Sequence, residues 1–123
     1  MEWLAVFIGG GLGSLARFGM TKAFAGFTTD FPVATLLTNL LACLILGFVA
    51  GLVAQKAQLS PLLKIGITTG FCGGFSTFST FGLESVGLMG NGKILLAGTY
   101  VLASVALCFV GVWVGQMLAR QAS

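Results

Sequence analysis

Charged side chains are scarce in this sequence. Of its 123 residues, 57% are hydrophobic and 7% are charged, whereas a soluble domain carries roughly 25% charged residues. Six basic and three acidic side chains cannot cover the surface of a water-soluble fold. The composition therefore predicts an integral membrane protein whose main solvent is lipid.

Histidine is absent, and the chain contains three cysteines, Cys43, Cys72 and Cys108, each in a different apolar run. Because none forms a CxxC pair or lies beside another metal-ligating residue, we expect buried free thiols rather than a zinc or redox site. The basic residues are scattered singly between apolar runs. A nucleic-acid-binding protein needs them clustered on one face, so no nucleic-acid partner is expected.

Four apolar segments are long enough to cross a bilayer, which takes about 20 helical residues. They cover residues 3–20, 31–54, 62–89 and 94–119 approximately, and together they predict a single all-α, four-span domain over residues 1–123. Pro32 and Pro61 suit the first turns of the second and third spans. Since the connections are short, consecutive helices should be antiparallel neighbours.

The basic residues divide equally between the two predicted sides of the membrane. Lys56, Lys64 and Arg120 lie on the side of the termini, and Arg17, Lys22 and Lys93 lie on the other. Because an imbalance of Lys and Arg sets orientation, a balanced chain can insert both ways. If Arg17 lies too deep in the membrane to count toward this balance, a weak preference for one orientation remains. Charge alone does not decide between these alternatives.

The third span has the most unusual polar content. It carries the Gly73-Gly74 pair and six hydroxyl side chains, namely Thr68, Thr69, Ser76, Thr77, Ser79 and Thr80. This pattern favours a helix broken in the middle of the membrane at the glycine pair, with its free backbone groups buried in protein or facing a watery cavity. The alternative is a packing interface of small residues.

Two phenylalanines follow the glycine pair on one helical face. Phe78 and Phe81 are three residues apart, so their side chains are neighbours on a helix. The positive edge of a phenyl ring can contact an anion without a fixed cation. Lipid-facing packing is the more ordinary interpretation of such residues.

Other polar side chains lie in the second and last spans. The amide of Asn39 can donate to an anion or bind a neighbouring helix, and the sequence leaves both open. Tyr100, Ser104 and Cys108 recur every fourth residue and form a weakly polar stripe on the last helix.

Two charged residues lie within or near the spans. Arg17 is placed so that it can reach outward to the interface, where a cation would attract anions. Glu84 lies near the end of the third span. An intramembrane carboxylate suggests function, but this depth also suits an ordinary interfacial residue.

At these residues the chain resembles the Fluc, or CrcB, family of fluoride channels over essentially its whole length. Residues 73–81 match the family's GG-x-STFSTF signature. The Gly-Gly-Gly-Leu-Gly run at residues 9–13, which leads to Arg17, and the pair Thr35 and Asn39 support the match.

The resemblance implies a passive fluoride channel, not an enzyme, that exports fluoride across the cell (inner or plasma) membrane. It implies an antiparallel, dual-topology homodimer with two pores, in which a second copy of the chain is the partner. Matching positions assign the fluoride pathway to Arg17, Asn39, Phe78, Ser79, Thr80, Phe81, Glu84, Tyr100 and Ser104. They also imply a structural sodium ion at the dimer centre, held by the backbone carbonyls of Gly73 and Ser76. The chain departs from the family at Cys108, where a thiol replaces the third hydroxyl of the polar track and is a weaker donor.

Two other functions fit a small membrane protein less well. Small multidrug transporters are also four-span, dual-topology chains, but they exchange protons at a glutamate midway through the first span. Here the first span contains Arg17, and its one acidic residue is Glu2. A helper subunit of a larger complex would leave the hydroxyl-rich third span without a purpose.

Overall fold

The computed structural model describes residues 1–27 and 29–122, whose regular secondary structure is entirely helical and includes no strand. The helices in chain order are α1 (Glu2–Ala23), α2 (Val33–Ala54), α3 (Pro61–Ile65), a π-helical segment (Gly66–Cys72), α4 (Gly73–Phe75), α5 (Phe78–Gly90) and α6 (Ile94–Ala122). The all-α prediction is confirmed for these residues.

Three helices, α1, α2 and α6, are long and apolar enough to cross a membrane. Residues 61–90, which contain the third predicted span, are divided among four shorter helical segments. The described residues therefore form a multi-pass membrane fold, and the four-span domain over residues 1–123 stays a prediction.

Close contact between helices depends on glycines. On α2, a β-carbon added at Gly47 would lie 2.2 Å from the backbone oxygen of Val112 on α6. On α1, a β-carbon at Gly13 would lie 2.2 Å from the backbone oxygen of Phe71 in the π-helical segment. Since side chains here would clash with backbone, glycine lets these helices pack at short range, as is common in membrane proteins.

The turn between α5 and α6 also requires a glycine. Gly92 has a φ of +77°, a left-handed conformation that glycine adopts without steric cost. The Gly92 N–H donates to the Met89 carbonyl at 3.1 Å, and the Lys93 N–H donates to the Leu88 carbonyl at 2.9 Å. This Schellman arrangement ends α5. An ion pair between Lys93 and Asp30 then joins this turn to the connection between α1 and α2.

Candidate functional site

The helical path between α4 and α5 is interrupted at Ser76 and Thr77. Ser76 has a ψ of 157°, and Thr77 has φ and ψ of −151° and 119°, so both are extended. The sequence predicted the interruption at the Gly73-Gly74 pair. Both glycines are instead helical residues of α4, and the interruption follows them. Gly74 instead permits close packing, since a β-carbon there would lie 2.4 Å from a backbone oxygen of α1.

Asn39 on α2 pairs with both backbone polar groups of Thr77. Its Oδ1 accepts a hydrogen bond from the Thr77 N–H at 2.8 Å, and its Nδ2 donates to the Thr77 carbonyl at 3.2 Å. In a continuous α-helix the Thr77 N–H would instead donate to the carbonyl of Gly73. The amide thus replaces the partner that the Thr77 N–H loses at the interruption, and it also gives the Thr77 carbonyl a donor. Of the two roles that the sequence left open, the structure shows the contact with a neighbouring segment.

Arg17 on α1 satisfies a further group beside the interruption. Its Nε donates to the carbonyl of Gly74 at 3.0 Å. A continuous helix would pair that carbonyl with the N–H of Phe78. Side chains from α1 and α2 therefore both stabilise the non-helical residues. The half-buried Arg17 does this from outside the pocket described below.

The hydroxyl of Thr77 caps the start of α5. Its Oγ1 accepts from the Thr80 N–H at 3.2 Å and donates to Thr80 Oγ1 at 3.0 Å, and Ser79 Oγ lies 3.3 Å away. A threonine is a favourable N-cap because its oxygen satisfies one of the free N–H groups of the first turn. The sequence singled out Ser79 and Thr80 and counted Thr77 only among six hydroxyls, so it missed the residue at their centre. The sequence signal for this cap was a threonine three residues before Thr80, whose backbone N–H can donate to its hydroxyl.

Glu84 on α5 accepts hydrogen bonds from two other helices. Tyr100 Oη donates to its Oε1 at 2.8 Å, and Thr35 Oγ1 donates to its Oε2 at 3.0 Å. Tyr100 is fully buried, and its ring centroid lies 5.2 Å from that of Phe81. The structure thus brings Glu84 and Tyr100 together beside the pocket rather than in its lining. Thr35 was not among the residues that the sequence assigned to the pathway.

A pocket of about 310 Å³ lies beside the interruption. Residues from α2, α5, α6 and the interruption line it: Asn39, Cys43, Ser76, Thr77, Phe78, Phe81, Ser104, Val105, Cys108 and Phe109. Four of these were predicted pathway residues, and Ser76 was predicted to offer its carbonyl to sodium. The sequence did not single out Val105 or Phe109.

The pocket is apolar but contains unused hydrogen-bonding capacity. Ser104 Oγ is buried and has no partner among the residues that the structure describes. Phe78 is 84% exposed, and its ring centroid lies 5.6 Å from that of Phe81. In the described part of the chain, no Asp, Glu, Lys or Arg lines this pocket. A small anion would therefore meet a hydroxyl, an amide and aromatic rings instead of a fixed cation.

Gly73, predicted to supply a carbonyl to sodium, lies exposed on α4 outside the pocket lining. A β-carbon added to it would meet no atom within 4 Å. Ser76 is half-buried, and its hydroxyl donates to the Cys72 carbonyl at 2.7 Å. The hydroxyl of Ser76 is therefore engaged within its own segment.

Comparison with known proteins gives a match over most of the chain. Residues 4–116 match the family described as CrcB-like protein, Camphor Resistance (CrcB). A fluoride-specific ion channel FluC from Flavobacterium psychrophilum is 38% identical over 115 residues, which are 93% of each chain. The protein of the same name from Geobacter sulfurreducens is 41% identical over 121 residues, 96% of each chain. The one from Pyrococcus abyssi is 43% identical over 118 residues, 96% of this chain and 95% of the relative.

Proposed function

The chain belongs to the CrcB-like family, and we propose that this multi-pass membrane protein is a passive, fluoride-selective ion channel. The observation that carries the proposal is the similarity over nearly the whole chain to relatives named fluoride-specific ion channels. In this function the chain forms a pore and is not an enzyme. As a passive pore, it exports fluoride when the internal electrochemical potential of fluoride is the higher one.

The pocket has the chemistry that fluoride requires. Fluoride is small and strongly hydrated, so it enters an apolar environment only where other donors replace its water. Ser104 offers a buried hydroxyl without a partner, and Asn39, Phe78 and Phe81 line the same space. The absence of a fixed cation from the described lining favours release, which conduction requires as much as entry.

The remaining pathway residues are assigned to the approaches and walls of this pore. Ser79 and Thr80 present hydroxyls at the start of α5, and Tyr100 binds Glu84 next to the ring of Phe81. Arg17 places a positive charge at the interruption, where it attracts an anion.

Residues 61–90 form the third of four spans in this proposal, with the interruption near the middle of the bilayer. The helical residues before the interruption, 61–75, and those after it, 78–90, are nearly equal in number. Non-helical backbone at such depth is tolerated only where protein or a watery cavity surrounds it. The bonds from Asn39 to Thr77 and from Arg17 to Gly74 support this placement.

The functional assembly is an antiparallel, dual-topology homodimer surrounded by lipid, with two pores. The equal division of basic residues supports insertion in both orientations. The exposure of Phe78 supports a second copy, because a pore-lining ring must be enclosed by something outside this chain. The test is labelling of single introduced cysteines from each side of intact cells, after the native three are replaced.

Dual insertion predicts labelling from both sides at every position. Adding two lysines within residues 55–60 should then shift all copies to one orientation. Labelling of the parent chain from a single side would contradict the antiparallel homodimer.

A structural sodium ion at the dimer centre fits the carbonyls of Gly73 and Ser76. The N–H of Thr77 donates to Asn39, and the N–H of Thr80 donates to Thr77 Oγ1. In a continuous helix these two N–H groups would bind the carbonyls of Gly73 and Ser76. A monovalent cation would offer those oxygens a partner, and two antiparallel copies would supply four of them. Replacing sodium by potassium should weaken the dimer, measured by size exclusion; an unchanged dimer and unchanged flux would contradict the site.

The test of the function is fluoride efflux from liposomes, followed with a fluoride-selective electrode. Fluoride should leave vesicles that contain the protein, while chloride efflux stays at the level of empty vesicles. Proton-coupled efflux of a cationic drug without fluoride flux would favour the multidrug transporter instead.

The same assay tests the ring pair. Phe78→Ile and Phe81→Ile keep apolar bulk but remove the positive ring edge, so efflux should fall by roughly tenfold or more if each edge contributes ~1.4 kcal/mol. Phe7→Ile is the control, since Phe7 is an exposed ring on α1 outside the pocket. All variants must elute as the parent does in size exclusion. Unchanged efflux in both pocket variants would assign these rings to lipid-facing packing.

A further inference from the structure

Two cysteines that are distant in sequence meet at the pocket. Cys43 on α2 and Cys108 on α6 both line it. The two helices are closely packed at this point, because a β-carbon added at Gly111 would lie 3.3 Å from the β-carbon of Cys43. Gly111 is three residues beyond Cys108 and shares its helical face. Cys43 and Cys108 therefore border one space between two closely packed helices.

A third group points to a ligand in the same place. Ser104 precedes Cys108 by one helical turn and lines the same pocket. Its side chain is 6% exposed, and its Oγ has no partner within the described residues. A buried hydroxyl without a partner leaves hydrogen-bonding capacity for something that the pocket receives.

The number of ligands selects the class of metal. Within residues 1–27 and 29–122, no group of three or more His, Cys, Asp or Glu side chains converges. A structural zinc site takes four such ligands in a tetrahedron, so the pocket does not suit zinc. Soft thiolates favour soft metals, and some of these are satisfied by two sulfur atoms in a line.

The apolar surroundings select the charge of the ion. A thiol must lose its proton to bind a metal. Two thiolates alone would be costly to bury, as would an isolated cation. A divalent cation bound to two thiolates is neutral, and it therefore avoids both penalties.

We propose that Cys43 and Cys108 form a site for a soft, thiophilic divalent cation that accepts linear two-coordination, of the type of Hg²⁺. Two S–H bonds break, two sulfur–metal bonds form, and two protons pass to solvent. The ion occupies space that Asn39 and Ser104 also line, so it obstructs the pocket. Obstruction of ion flow rests on the proposed function, whereas metal binding does not.

The test is retention of Hg²⁺ by the purified full chain after washing with excess 2-mercaptoethanol. Two converging thiols retain the metal because the second sulfur acts at a high effective concentration against a monothiol competitor. The parent and Cys72→Ser should each retain one mercury per chain by elemental analysis, with sulfur-to-metal charge-transfer absorbance. Cys72 is the matched control, since it is buried outside the pocket. Cys43→Ser and Cys108→Ser should lose the metal in this wash.

Retention by either serine variant equal to that of the parent would overturn the proposal, as would no retention by the parent. Each protein must keep the parent's elution volume in size exclusion. In fluoride-loaded liposomes, Hg²⁺ should stop efflux through the parent and through Cys72→Ser. It should leave Cys43→Ser and Cys108→Ser at their own metal-free rates.

If the parent retains mercury but its fluoride efflux is unchanged, the bound ion does not obstruct the pocket, and that part of the proposal is wrong. A parent without fluoride efflux before metal is added would overturn the proposed function, while retention would still decide the site.

Discussion

Replacing Asn39 by leucine removes both hydrogen bonds that hold Thr77, at 2.8 and 3.2 Å, with little change in volume. An unsatisfied buried donor or acceptor costs about 1–3 kcal/mol. Because Asn39 and Thr77 are half-buried, the lower part of that range applies, ~2–4 kcal/mol for the two groups. Since 1.4 kcal/mol is a factor of ten, local opening at Thr77 should increase roughly 30- to 1,000-fold.

Amide hydrogen exchange at residues 76–81, measured by mass spectrometry in detergent, reports this opening directly. Asn39→Asp should give an intermediate increase, because it keeps the acceptor for the Thr77 N–H but loses the donor to the carbonyl. Ser85→Ala is the matched control, since its buried hydroxyl donates within its own helix to the Phe81 carbonyl at 2.8 Å. Exchange at Thr77 that is unchanged in Asn39→Leu would refute the capping role of this amide.

Two further outcomes follow from the packing. Gly13→Ala should lower the thermal stability in detergent by several degrees or prevent folding, because its β-carbon would lie 2.2 Å from a backbone oxygen. Gly11→Ala is the control: its β-carbon would have no atom within 4 Å, so this variant should have the melting temperature of the parent. Tyr100→Phe should destabilise the protein by about 1.5–3 kcal/mol, the range for a hydrogen bond to a charged group. In a double-mutant cycle this loss should largely vanish in Glu84→Ala, which removes the acceptor, measured by reversible unfolding in mixed micelles; full additivity would show that the two residues do not interact.

The long helices could be predicted from the sequence because uninterrupted apolar runs determine them locally. The predicted spans 3–20, 31–54 and 94–119 differ from α1, α2 and α6 by at most three residues at any end. Lipid requires backbone hydrogen bonds to be satisfied within each segment, so an apolar run of this length has few alternatives to a helix.

The position of the interruption could not be predicted in the same way. Asn39 and Thr77 are 38 residues apart, and Arg17 and Gly74 are 57 apart. Glycines mark where a helix is weak, but these distant side chains determine where the backbone leaves it. The site was therefore predicted as a set of polar residues without its internal connections.

The thiol pair shows the same limit. The sequence placed Cys43 and Cys108 in different apolar runs and gave no reason to join them. Which faces of α2 and α6 meet depends on close packing at glycines, including Gly47 and Gly111. Two isolated cysteines thus become one candidate site only when the helices are assembled.

The most direct test of fluoride-selective passive conduction is the reversal potential of the current in a planar bilayer. With a tenfold fluoride gradient, equal chloride and equal pH on both sides, the current should reverse about 59 mV from zero, as expected for one monovalent ion. Imposing a pH gradient that leaves the fluoride gradient unchanged should not move this value. A reversal near zero, or one that follows the pH gradient, would contradict the account.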